Sequence, residues 1–159
     1  MEYRFKPMQI EDAKKVKNWQ YNGFIQKIFM EPYFKSYQKG DDILKGPNNC
    51  KGFAVYKDND LFGLFEYYFN SSLMEIGLAL NPKFVGSGMA LEYLIEGLNF
   101  GIEYFNYQEE LIKLNVNKEN KPALKVYKKA GFQITNIEKE EFEMQIETKN
   151  ISKKSSNNE

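Results

Sequence analysis

The feature of this sequence that most constrains its fold is a strand-like segment that leads through a glycine-rich loop into an amphipathic helix. The apolar segment 76–80 ends at Asn81 and Pro82, and the loop 86–88 reads Gly-Ser-Gly. Glycines without side chains allow backbone N–H groups to approach a bound anion closely. The start of a helix adds unpaired N–H donors and the positive end of the helix dipole. This layout predicts a phosphate-binding loop.

Helical periodicity is clearest directly after this loop. Apolar side chains recur at i, i+3, i+4, i+7, i+11 and i+14 from Leu91 to Phe105, and glutamates occupy the other side. This pattern predicts a helix that packs one face on a sheet. A second helix is predicted to begin at Pro122, a residue suited to a first turn, and to end at Gly131, a typical C-terminal stop.

Alternating apolar residues predict strands before and after these helices, and short turns in the middle of the chain favour an antiparallel meander. The predicted strands are 3–5, 53–56, 61–68, 74–80, 111–116, 134–137 and 141–147. Residues 10–19 predict a first helix, and the aromatic-rich stretch 21–37 predicts short helices and loop. This order predicts an α+β fold, in which helices flank both faces of a central mixed, largely antiparallel sheet.

The composition is that of an ordinary globular protein and disfavours several kinds of partner. With 159 residues, 42% hydrophobic and 28% charged, we expect one domain over residues 1–148 and a polar, disordered tail over 149–159. Basic and acidic residues both number 22, so no net basic charge favours nucleic acid or an anionic membrane. No apolar run has the length of a membrane helix and no leader-like pattern is present, so we expect a cytoplasmic protein.

The sequence contains no histidine and one cysteine. The lack of histidine excludes Ser-His and Cys-His nucleophilic catalysis and most zinc sites, so we expect no metal. Cys50 follows a polar segment typical of a surface loop, has no partner for an internal disulfide, and is expected to be an inert thiol. An acid or base in this protein is therefore a carboxylate, a tyrosine, a lysine or the cysteine.

Two other phosphate-binding patterns fit the loop less well. A P-loop ends in Gly-Lys followed by Ser or Thr, whereas Gly88 is followed by Met89 and Ala90. A dinucleotide-binding fold needs an acidic residue at the end of the next strand. Glu109 and Glu110 precede that strand instead.

The loop and the second helix together resemble the GNAT superfamily of acetyl-CoA-dependent N-acetyltransferases. The diphosphate pattern of this superfamily is Gln or Arg, two residues, Gly, one residue, and Gly or Ala. Segment 83–88 follows it with Lys83 in the first position and Ala90 completing the longer form. The lysine departs from the pattern, but cofactor binding is expected because such loops bind mainly through backbone N–H groups. Further matching positions are Asn117, Asn120, Pro122, Ala123, Tyr127, Gly131 and Phe132.

The resemblance implies the acyl-CoA N-acyltransferase fold and acetyl-CoA as cosubstrate. In the superfamily, an asparagine before the second helix contacts the pantetheine arm and a tyrosine along that helix reaches the cofactor sulfur. Asn120 and Tyr127 stand at those positions, although a helix cap and a buried core tyrosine fit the same residues. The implied cofactor-binding residues are Leu78, Leu80, Lys83, Phe84, Val85, Gly86, Ser87, Gly88, Met89, Ala90, Asn117, Asn120 and Tyr127.

Acetyl transfer to an amine in a ternary complex needs an uncharged nucleophile, a stabilised oxyanion and a proton for the departing thiolate. The resemblance implies that Tyr127 donates this proton and that Glu75 removes a proton from the amine, directly or through water. Glu75 fits a solvated strand residue equally well. Backbone N–H groups near Gly77 and Leu78 are implied to meet the oxyanion, and the strands beside the loop are implied to splay apart around pantetheine.

The sequence defines the acceptor less closely. The resemblance implies an acceptor pocket that includes Glu75 and the aromatic residues Tyr21, Phe24, Tyr33, Phe34 and Tyr37. Trp19, Tyr21 and the pair Pro32-Tyr33 resemble a bacterial branch related to ribosomal-protein acetyltransferases. A small amine, an antibiotic amine, a protein N-terminus or a lysine is compatible, and the protein is expected to be a monomer or homodimer. The alternative hypothesis is a non-catalytic acyl-CoA-binding or sensing module on the same fold.

Overall fold

A seven-stranded sheet forms the centre of the computed structural model, which describes residues 2–22 and 28–153. The strands are β1 (Tyr3–Pro7), β2 (Lys51–Lys57), β3 (Asp60–Asn70), β4 (Leu73–Leu80), β5 (Leu111–Asn117), β6 (Gln133–Ile137) and β7 (Glu141–Glu147). The helices are α1 (Ile10–Lys17), α2 (Glu31–Gln38), α3 (Ala90–Tyr104) and α4 (Lys121–Ala130). Within these described residues, no helix is long and apolar enough to cross a membrane.

The strand order across the sheet is β1-β2-β3-β4-β5-β7-β6. Every neighbouring pair is antiparallel except β4 and β5, which run parallel. The predicted meander of β2, β3 and β4 and the closing hairpin of β6 and β7 are both present. The mixed, largely antiparallel sheet expected from the sequence is thereby confirmed.

Strands β4 and β5 are paired over a short stretch only. Met74 pairs with Ile112 and Glu75 with Lys113, and the described ladder between these strands ends there. The remainder of β4 continues toward the glycine-rich loop paired with β3 alone. The strands therefore separate after Glu75, which is the divergence that the family resemblance implies.

Helices cover both faces of the sheet. Helices α1 and α2 contact each other on one face, termed the α1/α2 face, and α3 and α4 contact each other on the other, termed the α3/α4 face. Each face has its own apolar core. The α1/α2 core includes Ile10, Ala13, Val16, Tyr33 and Leu64. The α3/α4 core includes Phe53, Phe65, Tyr67, Leu94 and Leu98.

Two sequence-based expectations about the chain need correction. Cys50 is buried beneath α2 and is not exposed on a surface loop. The packed domain also extends past Thr148, because a 3₁₀ turn covers Thr148–Asn150 and the following Ile151 is only 6% exposed. The side chain of Asn99 in α3 donates a hydrogen bond to the carbonyl oxygen of Ser152 at 2.9 Å. Residues 154–159 of the predicted tail lie outside the described residues.

Candidate active site

The loop between β4 and α3 has the backbone geometry of an anion-binding loop. Gly86 and Gly88 have φ angles of +82° and +85°, which L side chains rarely adopt. A Cβ at either glycine would meet no atom within 4 Å, so the loop surface above them is open. The N-cap residue of α3, Met89, makes no side-chain capping hydrogen bond. The first N–H groups of α3 are thus left for a bound anion.

The loop is fixed to the sheet by Asn81. Its side-chain Nδ2 donates to the carbonyl oxygen of Leu61 at 2.8 Å, and its Oδ1 accepts from the backbone N–H of Lys83 at 3.0 Å. The backbone N–H of Asn81 also donates to the carbonyl oxygen of Phe62 at 2.8 Å. These bonds hold the end of β4 against β3 and orient the chain as it enters the loop.

A cavity of about 250 Å³ lies beside the loop, where β4 and β5 separate. It is lined from both faces of the sheet, since Ala79 belongs to the α1/α2 core and Tyr93 and Tyr127 belong to the α3/α4 core. The full lining is Tyr21, Asn22, Leu78, Ala79, Leu80, Val85, Gly86, Ala90, Tyr93, Asn120, Pro122, Ala123, Val126 and Tyr127. A ligand on one face can therefore meet a ligand on the other through this gap.

Helix α4 positions Tyr127 in the cavity wall. Asn120 caps the helix, with its Oδ1 accepting from the backbone N–H of Ala123 at 3.3 Å, and Gly131 ends it with φ +113°. The Tyr127 ring is 9% exposed and packs edge-on against Phe132, with ring centroids 6.0 Å apart. Burial raises the pKa of Tyr127, so its hydroxyl keeps its proton at neutral pH. Among the described residues this hydroxyl makes no hydrogen bond, and it can donate to a ligand in the cavity.

Glu75 lies on the opposite face of the sheet from Tyr127. Met74 and Ile76 pack in the α3/α4 core, so by strand alternation the half-buried Glu75 between them points to the α1/α2 face. The side-chain Nδ2 of Asn115 donates to its Oε2 at 3.0 Å. Lys113 is the partner of Glu75 in the parallel ladder, but its ammonium group forms an ion pair with Glu143. Glu75 is thus an oriented carboxylate at the position where β4 and β5 begin to separate.

About half of the predicted cofactor residues line the cavity. They are Leu78, Leu80, Val85, Gly86, Ala90, Asn120 and Tyr127. Ser87 and Gly88 belong to the exposed loop beside it. The side chain of Asn117 closes the turn after β5, where its Oδ1 accepts from the backbone N–H of Glu119 at 2.8 Å.

Three other predicted cofactor residues have side chains engaged outside the cavity lining. Lys83 is exposed and pairs with Asp60 at 3.6 Å. The Phe84 ring packs on Phe62, with centroids 4.7 Å apart. The Met89 sulfur accepts a hydrogen bond from a neighbouring lysine on β2 at 3.2 Å.

The spacing of the diphosphate pattern also fits a second register in the same loop. The same spacing fits from Val85, through Gly88, to Ala90. In this register the first and last positions both line the cavity, and Ala90 is the first residue of α3. In the register that begins at Lys83, the first residue lies outside the cavity lining. In the second register valine replaces the Gln or Arg of the pattern, so the choice between the two registers stays a prediction.

The predicted acceptor residues fall into different environments. Tyr21 lines the cavity, and its hydroxyl donates to the carbonyl oxygen of Leu80. Tyr33 is fully buried in the α1/α2 core, so the expectation that it contacts an acceptor directly is wrong. Phe34 is half-buried and Tyr37 exposed. Phe24 lies outside the described residues.

Sequence reasoning missed part of the cavity wall. Tyr93 of α3 is fully buried, and its hydroxyl donates to the carbonyl oxygen of Leu64 at 2.8 Å. A Cβ at Gly63 on β3 would lie 2.4 Å from that hydroxyl, so this glycine makes room for the tyrosine. Nothing local in the sequence marks Tyr93, because its partners come from another part of the chain. Asn22, Ala79 and Val126 were missed for the same reason.

Comparison with known proteins identifies the class to which this fold and site belong. A family model described as the acetyltransferase (GNAT) domain matches residues 3–133. The chain therefore belongs to the GNAT acetyltransferase family. It is an acetyl-CoA-dependent N-acetyltransferase that acts on an amine. The exposed glycine loop, the uncapped start of α3 and the adjoining cavity fit acetyl-CoA as the cosubstrate.

Individual relatives are distant in sequence and similar in fold. The spermidine N(1)-acetyltransferase of Escherichia coli K12 is 22% identical over 137 residues, which are 82% of this chain and 73% of the relative. The spermidine N-acetyltransferase of Vibrio cholerae, solved with CoA and spermine, has a TM-score of 0.70 at 19% identity, covering 93% of this chain and 96% of that one. The N-acetyltransferase PseH of Campylobacter jejuni, solved with acetyl coenzyme A, has a TM-score of 0.69 at 19% identity over 92% and 99%.

Proposed function

We propose that the acceptor is a small aliphatic polyamine of the spermidine type and that the reaction takes place in the cytoplasm. The observation that carries this proposal is the cavity at the separation of β4 and β5, which has walls from both faces of the sheet. Glu75 adds a negative charge on the α1/α2 side, which suits a cationic acceptor. Two of the relatives, from Escherichia coli and Vibrio cholerae, are named spermidine N-acetyltransferases, and these names support the same substrate class.

The cosubstrate is proposed to lie along the loop and α4. Acetyl-CoA supplies an activated acetyl group and a thiolate leaving group. Backbone N–H groups of residues 83–90 and of the first turn of α3 hold its diphosphate, which the exposed positive-φ glycines permit. Leu78, Leu80 and Asn120 contact the arm that leads into the cavity. The Leu80 carbonyl accepts from Tyr21 and keeps a second lone pair for this contact.

The proton transfers are proposed to use one residue on each face. An acceptor ammonium must lose a proton before its nitrogen can attack, and Glu75 takes that proton directly or through a water molecule. Because burial raises the pKa of Tyr127, its Oη keeps a proton at neutral pH. Tyr127 donates this proton to the departing sulfur. Stabilisation of the oxyanion by backbone N–H groups of β4 stays a prediction.

A panel of amines tests the acceptor class. Release of the CoA thiol is measured with spermidine, spermine, a simple monoamine, a lysine peptide and a peptide with a free N-terminus. We expect kcat/KM to be highest for spermidine or spermine. A higher kcat/KM for either peptide would contradict the polyamine assignment. Calorimetric binding of acetyl-CoA without turnover on any amine would support the non-catalytic alternative.

A further inference from the structure

A buried carboxylate that the proposed mechanism does not use lies on the α1/α2 face. Glu66 of β3 is 9% exposed. The hydroxyl of Tyr33 donates to its Oε2 at 2.5 Å, and the hydroxyl of Tyr68 donates to its Oε1 at 2.9 Å. The ion pairs found within residues 2–22 and 28–153 do not include Glu66. Burying a carboxylate without a cation costs folding free energy, so the presence of Glu66 at this position calls for a functional explanation.

The protein backbone is shaped around one of these two donors. A Cβ at Gly52 would lie 1.9 Å from the Tyr33 hydroxyl oxygen, and a Cβ at Gly46 would lie 2.5 Å from it. Both glycines thus leave the space that the tyrosine fills. The Sγ of Cys50 lies 3.8 Å from the same hydroxyl. Tyr33 is therefore locked in place, and it holds the Glu66 carboxylate in one orientation.

The other side of the carboxylate opens beside β4. Glu66 pairs with Gly77 across the β3–β4 ladder, and Tyr68 pairs with Glu75 two residues along on the same face. A Cβ at Gly77 would lie 3.7 Å from Oε1 of Glu66 and 3.6 Å from the Tyr68 ring. The lack of a side chain at Gly77 leaves room for another group to contact the carboxylate. Ala79, two residues along on the same face as Gly77, lines the cavity, whereas Glu66 and Gly77 lie just outside its lining.

We propose that Glu66 binds the ammonium group of the acceptor, which enters beside Gly77 and pairs with Oε1 next to the Tyr68 hydroxyl. This inference rests on the proposed function, and it names the anion that recognises the charge of the acceptor. A carboxylate has about four lone-pair sites, and the hydroxyls of Tyr33 and Tyr68 together with the Cys50 thiol occupy at most three of them. Because the site is mostly shielded from water, attraction between the carboxylate and an ammonium group is stronger than at the surface.

The pH dependence of acceptor binding follows from the groups around Glu66. They are Tyr33 on α2, Cys50 before β2, Tyr68 on β3 and Glu75 on β4. Burial raises the pKa of Glu66, and the tyrosine hydrogen bonds offset part of that rise. Burial also raises the pKa values of both tyrosines and raises that of Cys50 to about 12, so these groups stay neutral. Only ionised Glu66 attracts an ammonium, so KM for the acceptor should fall as pH rises through the Glu66 pKa.

The substitution Glu66→Gln tests this inference because it keeps the size of the side chain and removes its charge. We expect KM for spermidine to rise by about 10-fold or more, kcat to change by less than about 3-fold, and the calorimetric Kd for acetyl-CoA to stay the same. The fall of KM with pH should also be lost. Loss of the charge should not lower the melting temperature at pH 8, because a buried carboxylate without a cation does not favour folding.

Two further variants separate recognition from folding. Asp12→Asn is the matched control, since Asp12 is also buried and accepts from a tyrosine hydroxyl, but its carboxylate caps its own helix α1 and does not lie beside Gly77 of β4. It should leave KM for the acceptor unchanged. Gly77→Ala places a methyl group at ordinary contact distance from Oε1. It should raise KM for the acceptor without changing the Kd for acetyl-CoA, and it tests the site if Glu66→Gln does not fold.

The outcomes distinguish this inference from the proposed function. An unchanged KM in both Glu66→Gln and Gly77→Ala, with normal acetyl-CoA binding, would overturn the role of Glu66 and leave the polyamine assignment intact. If the wild type prefers a peptide amine, the polyamine assignment fails, and the same variants are then measured with that cationic acceptor. A protein that binds acetyl-CoA and acetylates no amine would overturn both.

Discussion

Two tyrosines of this chain show how surroundings decide what a residue can do. Burial raises the pKa of both Tyr127 and Tyr33, so both hydroxyls are protonated at neutral pH. The Tyr33 hydroxyl already donates a hydrogen bond to Glu66, whereas the Tyr127 hydroxyl has no hydrogen-bond partner among the described residues and borders the cavity. Tyr127 is therefore free to act on a ligand. Tyr33 serves to hold a carboxylate.

The substitution Tyr127→Phe tests the role of that hydroxyl. The ring and its contact with Phe132 are kept, and only the donor is lost. We expect kcat to fall by roughly 10²-fold or more while the Kd for acetyl-CoA changes little, as for the loss of a general acid. Steady-state kinetics and calorimetry measure the two quantities. A kcat equal to that of the wild type would exclude Tyr127 as the proton donor.

At the scale of elements, the distance between α3 and the sheet is set by glycines. A Cβ at Gly97 would lie 2.0 Å from the Phe65 ring, and a Cβ at Gly101 would lie 2.4 Å from the Tyr67 ring. These positions let two strand aromatics fit beneath the helix. The same close packing fixes how α3 lies on the sheet, and the glycine-rich loop is joined directly to the start of this helix.

The substitution Gly97→Ala is expected to destabilise the protein by about 1–3 kcal/mol or more, since overpacking forces Phe65 or the helix to move. On helix propensity alone, the same change would stabilise by roughly 0.5–1 kcal/mol. The sign of the effect in urea unfolding therefore separates the two contributions. Glu103→Ala, on the exposed side of the same helix, is the control and should change stability little. A stabilising Gly97→Ala would show that this contact is looser than the structure indicates.

At the scale of the whole molecule, the end of the chain closes the core on the α3/α4 face. Ile151 is buried in that core, and the bond from Asn99 to Ser152 attaches the segment to α3. The chain thus continues to contribute packing after the last strand. The sequence predicted a domain end at Thr148 because only polar residues stand around this single isoleucine.

Truncation tests where the packed domain ends. A chain that stops after Thr148 loses the buried side chain of Ile151, and we expect its unfolding free energy to fall by about 2–4 kcal/mol. A chain that stops after Lys153 keeps every described contact and should melt like the full chain. Equal melting temperatures for the two truncated chains would return the domain boundary to residue 148.

The sequence by itself determined those features whose physical cause is local. Alternation and helical periodicity follow from neighbouring residues, as do the caps at Asn120 and Gly131 and the positive φ angles of the loop glycines. These signals were sufficient to predict the strands, the main helices and the loop, whereas the role of Tyr127 was expected from the family resemblance. The register of the diphosphate pattern stays a prediction, because the sequence repeats the spacing from Lys83 and from Val85.

Only the tertiary structure decided the role of Glu66. In the sequence it is one polar residue within the predicted strand 61–68, to which no role was assigned. Its donor Tyr33 is 33 residues away in the chain, and the opening beside Gly77 exists because of the β3–β4 register. Whether a strand residue faces water or a buried pocket depends on what packs over it, which no local pattern records. The anionic side of the site therefore becomes visible only when α2 and two strands are brought together.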